Sequence, residues 1–266
     1  VIYMQVIWAI GVSMIALAAL VWLPRPLLLV LGLVIVAGHN LLDTLHFPVD
    51  SMMHIPWAIL HDRGWIEFSD NLRLRTSYPV LPWIGVIALG YCMGPWFARS
   101  APADVRQRYL LLAGTVALLG FVVLRLLNGY GEVPWVSHDG FTQGLMSFFN
   151  ITKYPPSLLF LALTLGAGLL LLLGFERAGQ RKWIATLAVF GAAPMFFYLL
   201  HLYVLKVLYV ASVALFGQNQ GNYFGFDSIA AVWLTAVLLA TSLYWPVRWF
   251  AALKARRRDI AWLKYF

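Results

Sequence analysis

Phe190-Gly191-Ala192-Ala193-Pro194-Met195-Phe196-Phe197-Tyr198-Leu199-Leu200-His201 lies inside an apolar run that extends from residue 183 to 216. A helix rises ~1.5 Å per residue, so one straight helix over the run would reach ~50 Å, against a hydrocarbon core of ~30 Å. The run must therefore tilt, kink at Pro194 or project from the membrane. Whether it crosses once or twice sets the parity of the whole chain. Six further apolar runs fall at 2–22, 27–42, 79–98, 109–128, 155–175 and 228–248, separated by turn or charge signals such as Leu23-Pro24-Arg25-Pro26.

Basic residues settle the parity, because connections rich in Lys and Arg stay on the cytoplasmic side. Arg99, Arg106 and Arg108 mark one connection as inside, Arg177, Arg181 and Lys182 mark another, and Arg248, Lys254 and Arg256 to Arg258 mark the C-terminus. All three agree only if 183–216 crosses once. The expected fold is then all-α: a polytopic integral membrane helical bundle with about seven transmembrane helices, forming a single domain over 1–266. Residues 43–78, 129–154 and 217–227 lie outside, together with Val1.

Composition points the same way. The chain is 62% hydrophobic and 11% charged, whereas soluble domains are about 25% charged. The net charge of +8 comes from basic residues scattered over short connections, which signals orientation toward lipid rather than nucleic-acid binding. A single cysteine, Cys92, leaves no disulfide framework and no thiolate metal site. The chain opens Val1-Ile2-Tyr3 without a basic flank or a small-residue cleavage site, so its first run is not a signal peptide. An outside N-terminus would need an odd number of preceding helices, which leads to the expectation that further chain precedes Val1.

Ionisable groups at membrane depth are costly and point to function. His39, Asn40 and Asp43 end the second run, with His39 and Asp43 at i,i+4 on one helical face. Arg125 and Asn128 lie in the outer third of the fourth. His201 follows Tyr198 by about one turn, ~27 Å along a continuous helix from residue 183. All reach the outer level in this topology. The outer connections add Asp50, His54, His61 and Asp62 in one, and Glu132, His138, Asp139, Asn150, Lys153 and Tyr154 in the other. Such convergence is the pattern of a site. Taken singly, each has a plainer reading: a helix-end cluster wetted by headgroups, a histidine satisfied by a neighbouring helix, an arginine snorkelling outward.

The spacing His39-x3-Asp43-x2-His46 could hold a metal but has no obvious third strong ligand, so no metal is expected. No glycine-rich phosphate loop, nucleophile elbow or zinc motif is present, and Gly129-Tyr130-Gly131 reads as a helix terminator.

Five stretches taken in order carry a resemblance: Gln5-Val6-Ile7-Trp8-Ala9-Ile10-Gly11, Gly38-His39-Asn40-Leu41-Leu42-Asp43, Tyr78-Pro79-Val80-Leu81-Pro82-Trp83-Ile84-Gly85, Asn150-Ile151-Thr152-Lys153-Tyr154-Pro155-Pro156-Ser157, and the stretch from Phe190 to His201. Together they resemble the bacterial DUF1624 group of membrane proteins, related to the heparan-alpha-glucosaminide N-acetyltransferase catalytic domain. The resemblance implies a bundle of about ten helices in the bacterial cytoplasmic membrane. It also implies transfer of an acyl group, acetyl first among them, from cytoplasmic acyl-CoA to an extracytoplasmic sugar or glycan. The family's opening, an Asp-x-x-Arg-Gly motif followed by an apolar helix and a catalytic histidine, is not matched. His61-Asp62-Arg63-Gly64 looks similar, but Trp65-Ile66-Glu67-Phe68-Ser69-Asp70 follows it. The chain therefore reads as N-terminally truncated, which puts the activity of this fragment in doubt.

Acyl transfer needs a base for the acceptor's proton and donors for the oxyanion. His201 and His39 are the candidate bases, with Asp43 to fix an imidazole tautomer. Arg125, Asn128, Asn150, Lys153, Tyr154 and Tyr198 are candidate substrate contacts. Arg99, Arg106, Arg108, Arg177, Arg181 and Lys182 are candidate partners for the CoA phosphates, acetyl-CoA or another acyl-CoA being the donor. The implied partners are membrane lipids and a glycan or glycolipid acceptor, with homo-oligomerisation left open and no nucleic acid. An envelope glycolipid transporter or flippase and a non-catalytic membrane subunit are the competing readings.

Overall fold

The computed structural model describes residues 1–69, 72–179 and 181–265, which fall into two compact units, Val1–Gly174 and Phe175–Phe266. The chain is an α-helical polytopic membrane protein. Among the described residues, five helical segments are long and apolar enough to cross a bilayer: Arg25–Leu42, Ala103–Leu127, Leu158–Ala178, Pro194–Phe216 and Ile229–Arg256.

The first unit begins with strand β1 (Ile2–Met4) and helix α1 (Val6–Leu20). Helix α2 (Arg25–Gly38) follows, with a 3-10 turn at His39–Leu42. Then come α3 (His54–Leu60), strands β2 (Trp65–Ser69) and β3 (Leu72–Thr76), and α4 (Leu81–Cys92). The unit continues with α5 (Ala103–Leu127), α6 (Phe141–Phe149) and most of α7 (Leu158–Ala178). The second holds the end of α7, then α8 (Lys182–Ala192), α9 (Pro194–Phe216) and α10 (Ile229–Arg256), which packs against both α8 and α9.

Two expectations need correction, and the run at 183–216 breaks at Pro194, one of the alternatives its length allowed. The run at 2–22 is not helical from its start: Ile2–Met4 pairs in parallel with Leu74–Thr76, and β2 pairs antiparallel on the other side of β3. A small sheet therefore sits among the helices, and α1 is left with 15 residues, about 22 Å at ~1.5 Å per residue. The run at 79–98 yields only 12 residues of α-helix in α4 before Gly94-Pro95 tightens it into a 3-10 turn. The run at 183–216 is two helices, parted at Ala193, whose φ of −141° and ψ of 60° are not helical. Proline is tolerated in a helix's first turn, where its missing N–H costs nothing, so Pro194 starts α9 and the chain breaks just before it.

Two pairs of helices meet through glycine. A Cβ on Gly32 of α2 would lie 3.2 Å from the Gly85 carbonyl of α4, and one on Gly114 of α5 would lie 3.1 Å from the Gly166 carbonyl of α7. Small residues let backbones approach where lipid supplies no hydrophobic drive between helices. Gly166→Leu is expected to cost about 1–3 kcal/mol by overpacking and to lower the melting temperature in detergent. Gly168→Leu, on the same helix with nothing within 4 Å, should leave the melting temperature unchanged or slightly raised. Equal effects at both positions would remove the close approach as the cause.

Candidate active site

A polar pocket forms in the first unit where the end of α2, the segment after α3 and the turn before α7 meet. Asn40, in the 3-10 turn, ties two of these together. Its Nδ2 donates to Asp43 Oδ2 at 2.8 Å, and its Oδ1 accepts from the Leu158 backbone N–H at 2.8 Å. That N–H is one of the four that a helix start leaves without an internal partner. A second is met by the Ser157 hydroxyl, which accepts from Phe160 N–H at 3.0 Å in the usual manner of a helix cap.

His61 lies at the centre of the pocket and is 2% exposed. Its Nε2 is 3.3 Å from Asp43 Oδ1 and 3.0 Å from the His39 carbonyl, and its Nδ1 is 3.5 Å from Asp62 Oδ1. The ring stacks on Trp57 at 5.2 Å between centroids. Thr76 of β3 holds this segment in place: its hydroxyl accepts from Gly64 N–H at 2.8 Å and donates to the carbonyls of Asp62 and Gly64. Behind His61, at 6.1 Å between ring centroids, lies His39, also 2% exposed. Neither of its ring nitrogens has a hydrogen-bond partner. His39, Asp43 and His61 each bring one potential ligand atom within 4.8 Å of the others.

The pocket above them has a volume of about 620 Å³ and is lined by Asp43, His61, Asp62, Arg63, Tyr130 and Glu132, among others. Tyr130 donates its hydroxyl to the Ala37 carbonyl at 2.6 Å. Burial and then the Asp43 charge push its phenol up, so it stays a neutral donor. The two connections expected on the outer side, 43–78 and 129–154, thus pack together at one end of the helices.

Several expected substrate contacts are instead engaged within the protein. Arg125, 2% exposed, donates to the carbonyls of Phe148, Val133, Ser147 and Asn150 at 2.8–3.0 Å. Asn128 ends α5 in the left-handed conformation, with φ 54°, and clamps Trp135 by accepting from its N–H and donating to its carbonyl. Glu132 accepts from Val133 N–H, Thr152 N–H and the hydroxyls of Thr152 and Ser157. Arg125 and Asn128 shape the connection, Glu132 braces it while bordering the pocket, and Asn150 enters through its carbonyl.

Lys153 and Tyr154 lie beside a second pocket of about 260 Å³ lined by Arg63, Arg75, Tyr78 and Tyr154. The Tyr154 and Tyr78 hydroxyls are 2.9 Å apart, and Arg63 and Lys153 lie 5.5 and 5.2 Å from the Tyr154 ring centroid. The hydrogen bond to Tyr78, helped by Lys153 and Arg63, holds the Tyr154 phenol below its ordinary range.

In the second unit His201 is half-buried, stacked on Phe197 with its Nδ1 3.1 Å from the Phe197 carbonyl, and Tyr198 meets its edge. As the eighth residue of α9 it lies only about 10 Å from that helix's start at ~1.5 Å per residue, so its depth cannot be counted from residue 183. Arg99, Arg106 and Arg108 flank the α4–α5 connection, with Arg106 against Trp96 and Phe97. Arg177, Arg181 and Lys182 flank the α7–α8 connection and are exposed.

His61 and Asp62 stood among the polar residues of the outer connection, but nothing in their spacing joined them to Asp43, and Thr76 gave no signal. His46, the third residue of the metal-like spacing, pairs with Asp62 at 3.0 Å. Residues 1–126 match the family described as heparan-alpha-glucosaminide N-acetyltransferase, catalytic, which covers His39, Asp43 and His61. No curated protein and no solved structure gives a match. Over its first 126 residues, a little under half its length, the chain is similar to the catalytic domain of that N-acetyltransferase family.

Proposed function

We propose that the protein is a membrane acyltransferase of the bacterial cytoplasmic membrane. It moves an acetyl group from cytoplasmic acetyl-CoA to a sugar or glycan on the outer side. The observation that carries this reading is the pocket itself: Asp43, His61 and buried His39 gathered at the end of apolar helices, within the residues that match the family. An acceptor hydroxyl or amine entering the pocket would meet imidazole and carboxylate groups able to take up its proton. Arg63, Tyr130 and Tyr154 would orient it. His201 and Tyr198 are a further candidate base and orienting group in the second unit.

The donor is proposed to enter from the inside. CoA phosphates need cationic partners; the exposed Arg177, Arg181 and Lys182 lie on one connection expected inside, and Arg99, Arg106 and Arg108 on another. The thioester then has ~20–30 Å to cover, comparable with the hydrocarbon core, which the extended pantetheine arm can largely span. Arg177→Gln with Arg181→Gln should weaken CoA binding about tenfold, or ~1.4 kcal/mol, more at low salt than at high. His201→Ala should leave binding intact, and a loss of transfer with it would assign the base to the second unit. Calorimetric titration of CoA into the inserted protein tests the placement, and equal affinities in parent and double mutant would reject it.

A further inference from the structure

We propose that His39, Asp43 and His61 form a binding site for a divalent cation of the zinc class, its open coordination position turned to the pocket. Two imidazoles and one carboxylate are the donor set of many catalytic zinc sites, which keep a fourth position for water or substrate. Ligands ~2.0–2.1 Å from a tetrahedral ion stand ~3.4 Å apart. The His61 Nε2 to Asp43 Oδ1 separation is 3.3 Å. The His39 nitrogen, within 4.8 Å of both, needs to close by at most about 1.4 Å to complete that geometry.

His39 is the observation that an ion pair between Asp43 and His61 leaves unexplained. A buried polar group without a partner costs about 1–3 kcal/mol, and both nitrogens of this ring are buried and unpartnered. A cation between His39 and Asp43 removes that cost at the nitrogen that ligates it. The surroundings match what metal ligands require: ligating histidines usually give their second nitrogen to a carboxylate, and ligating carboxylates are themselves hydrogen-bonded. Asp62 Oδ1 faces His61 Nδ1 at 3.5 Å, and the Asn40 amide donates to Asp43 at 2.8 Å. With the proton on Nδ1 facing Asp62, His61 Nε2 ligates once it turns from the His39 carbonyl, 3.0 Å away, toward the cation. Asp43 is exposed, so the ion has a way in.

The site rests on these contacts and not on acetyl transfer, so a protein that binds zinc and transfers nothing would keep it. The test is zinc titration of the tag-free chain in detergent, with elemental analysis of stoichiometry and cobalt(II) as a visible probe. Expected are one zinc per chain, four-coordinate cobalt absorption and a melting temperature raised by zinc. Asp43→Asn, at an exposed position, and His39→Phe, which keeps an apolar ring in the buried place, should each weaken binding at least 100-fold. Asp62→Asn should weaken it about 10- to 100-fold, and His138→Ala, on another connection, should leave it within twofold. A metal-free melting temperature near the parent's certifies the fold of each variant, and Asp43→Asn decides the matter if His39→Phe does not fold. A parent that binds no zinc, or an Asp43→Asn protein that binds it as the parent does, overturns the proposal.

Discussion

Arg125→Ala is expected to lower stability by several kcal/mol, since a hydrogen bond to a charged group contributes about 1.5–3 kcal/mol and neighbouring ones do not add in full. Four carbonyls, those of Phe148, Val133, Ser147 and Asn150, converge on this one guanidinium, and alanine leaves all four without their donor. The Arg125 carbonyl also accepts from Trp135 Nε1 at 2.8 Å, so the tryptophan that Asn128 clamps is held from both ends of the same turn. Arg125→Lys should recover less than half of the loss, since an ammonium offers three donors in place of the planar fork of five. Melting in detergent reads the stability, and hydrogen exchange over 133–150 reads the loosening. An unchanged melting temperature would return Arg125 to the role of a substrate ligand.

Arg125 also shows why the site was only partly legible. A lone arginine in an apolar run marks either a binding site or a structural anchor, and the sequence signal for the two is the same. What separates them is the backbone over 133–150: Val133 lies in irregular chain, and Ser147, Phe148 and Asn150 lie at the end of α6, where the last carbonyls have no partner within the helix and are left to whatever reaches them. His39 and Asp43 do come together, within 4.8 Å, but through His61 rather than along one helical face. Four residues apart on an α-helix they would share a face, but the chain tightens into a 3-10 turn at His39, where residues three apart eclipse. Asn40 and Asp43 are therefore the pair that meets, and Asp43 turns to His61, eighteen positions further on.

The fold was legible where a single period and length decide it. The runs at 109–128, 155–175 and 228–248 all lie on long apolar helices, α5, α7 and α10. The sheet was not legible. Leu72-Arg73-Leu74-Arg75-Thr76 alternates as a strand should, but β1 lies some seventy residues away inside an apolar run that composition assigns to the membrane. Its pairing with β3 depends on a chain reversal that no local signal announces. Asp70, between β2 and β3, lies outside the described residues.

The largest effect on function is expected at Asp43. Asp43→Asn keeps the size of the side chain and the hydrogen bond available to Asn40, but removes the charge that faces His61 at 3.3 Å. Positioned proton transfer contributes about 10²–10⁴-fold to a rate, and a cation at this position would depend on the same carboxylate. Under the proposed function, transfer of labelled acetyl from acetyl-CoA to the sugar acceptor should therefore fall by about 10²–10⁴-fold in kcat. The affinity for CoA should not change, because the donor's phosphates bind elsewhere in the proposed arrangement. A loss of kcat and kcat/KM in equal measure would assign the carboxylate to the transition state alone. Asp43 is exposed, so its replacement should leave the melting temperature near the parent's. That separates this variant from Arg125→Ala, whose activity falls with its fold. Activity within threefold of the parent would place the chemistry outside this pocket and leave His201 as the remaining candidate base.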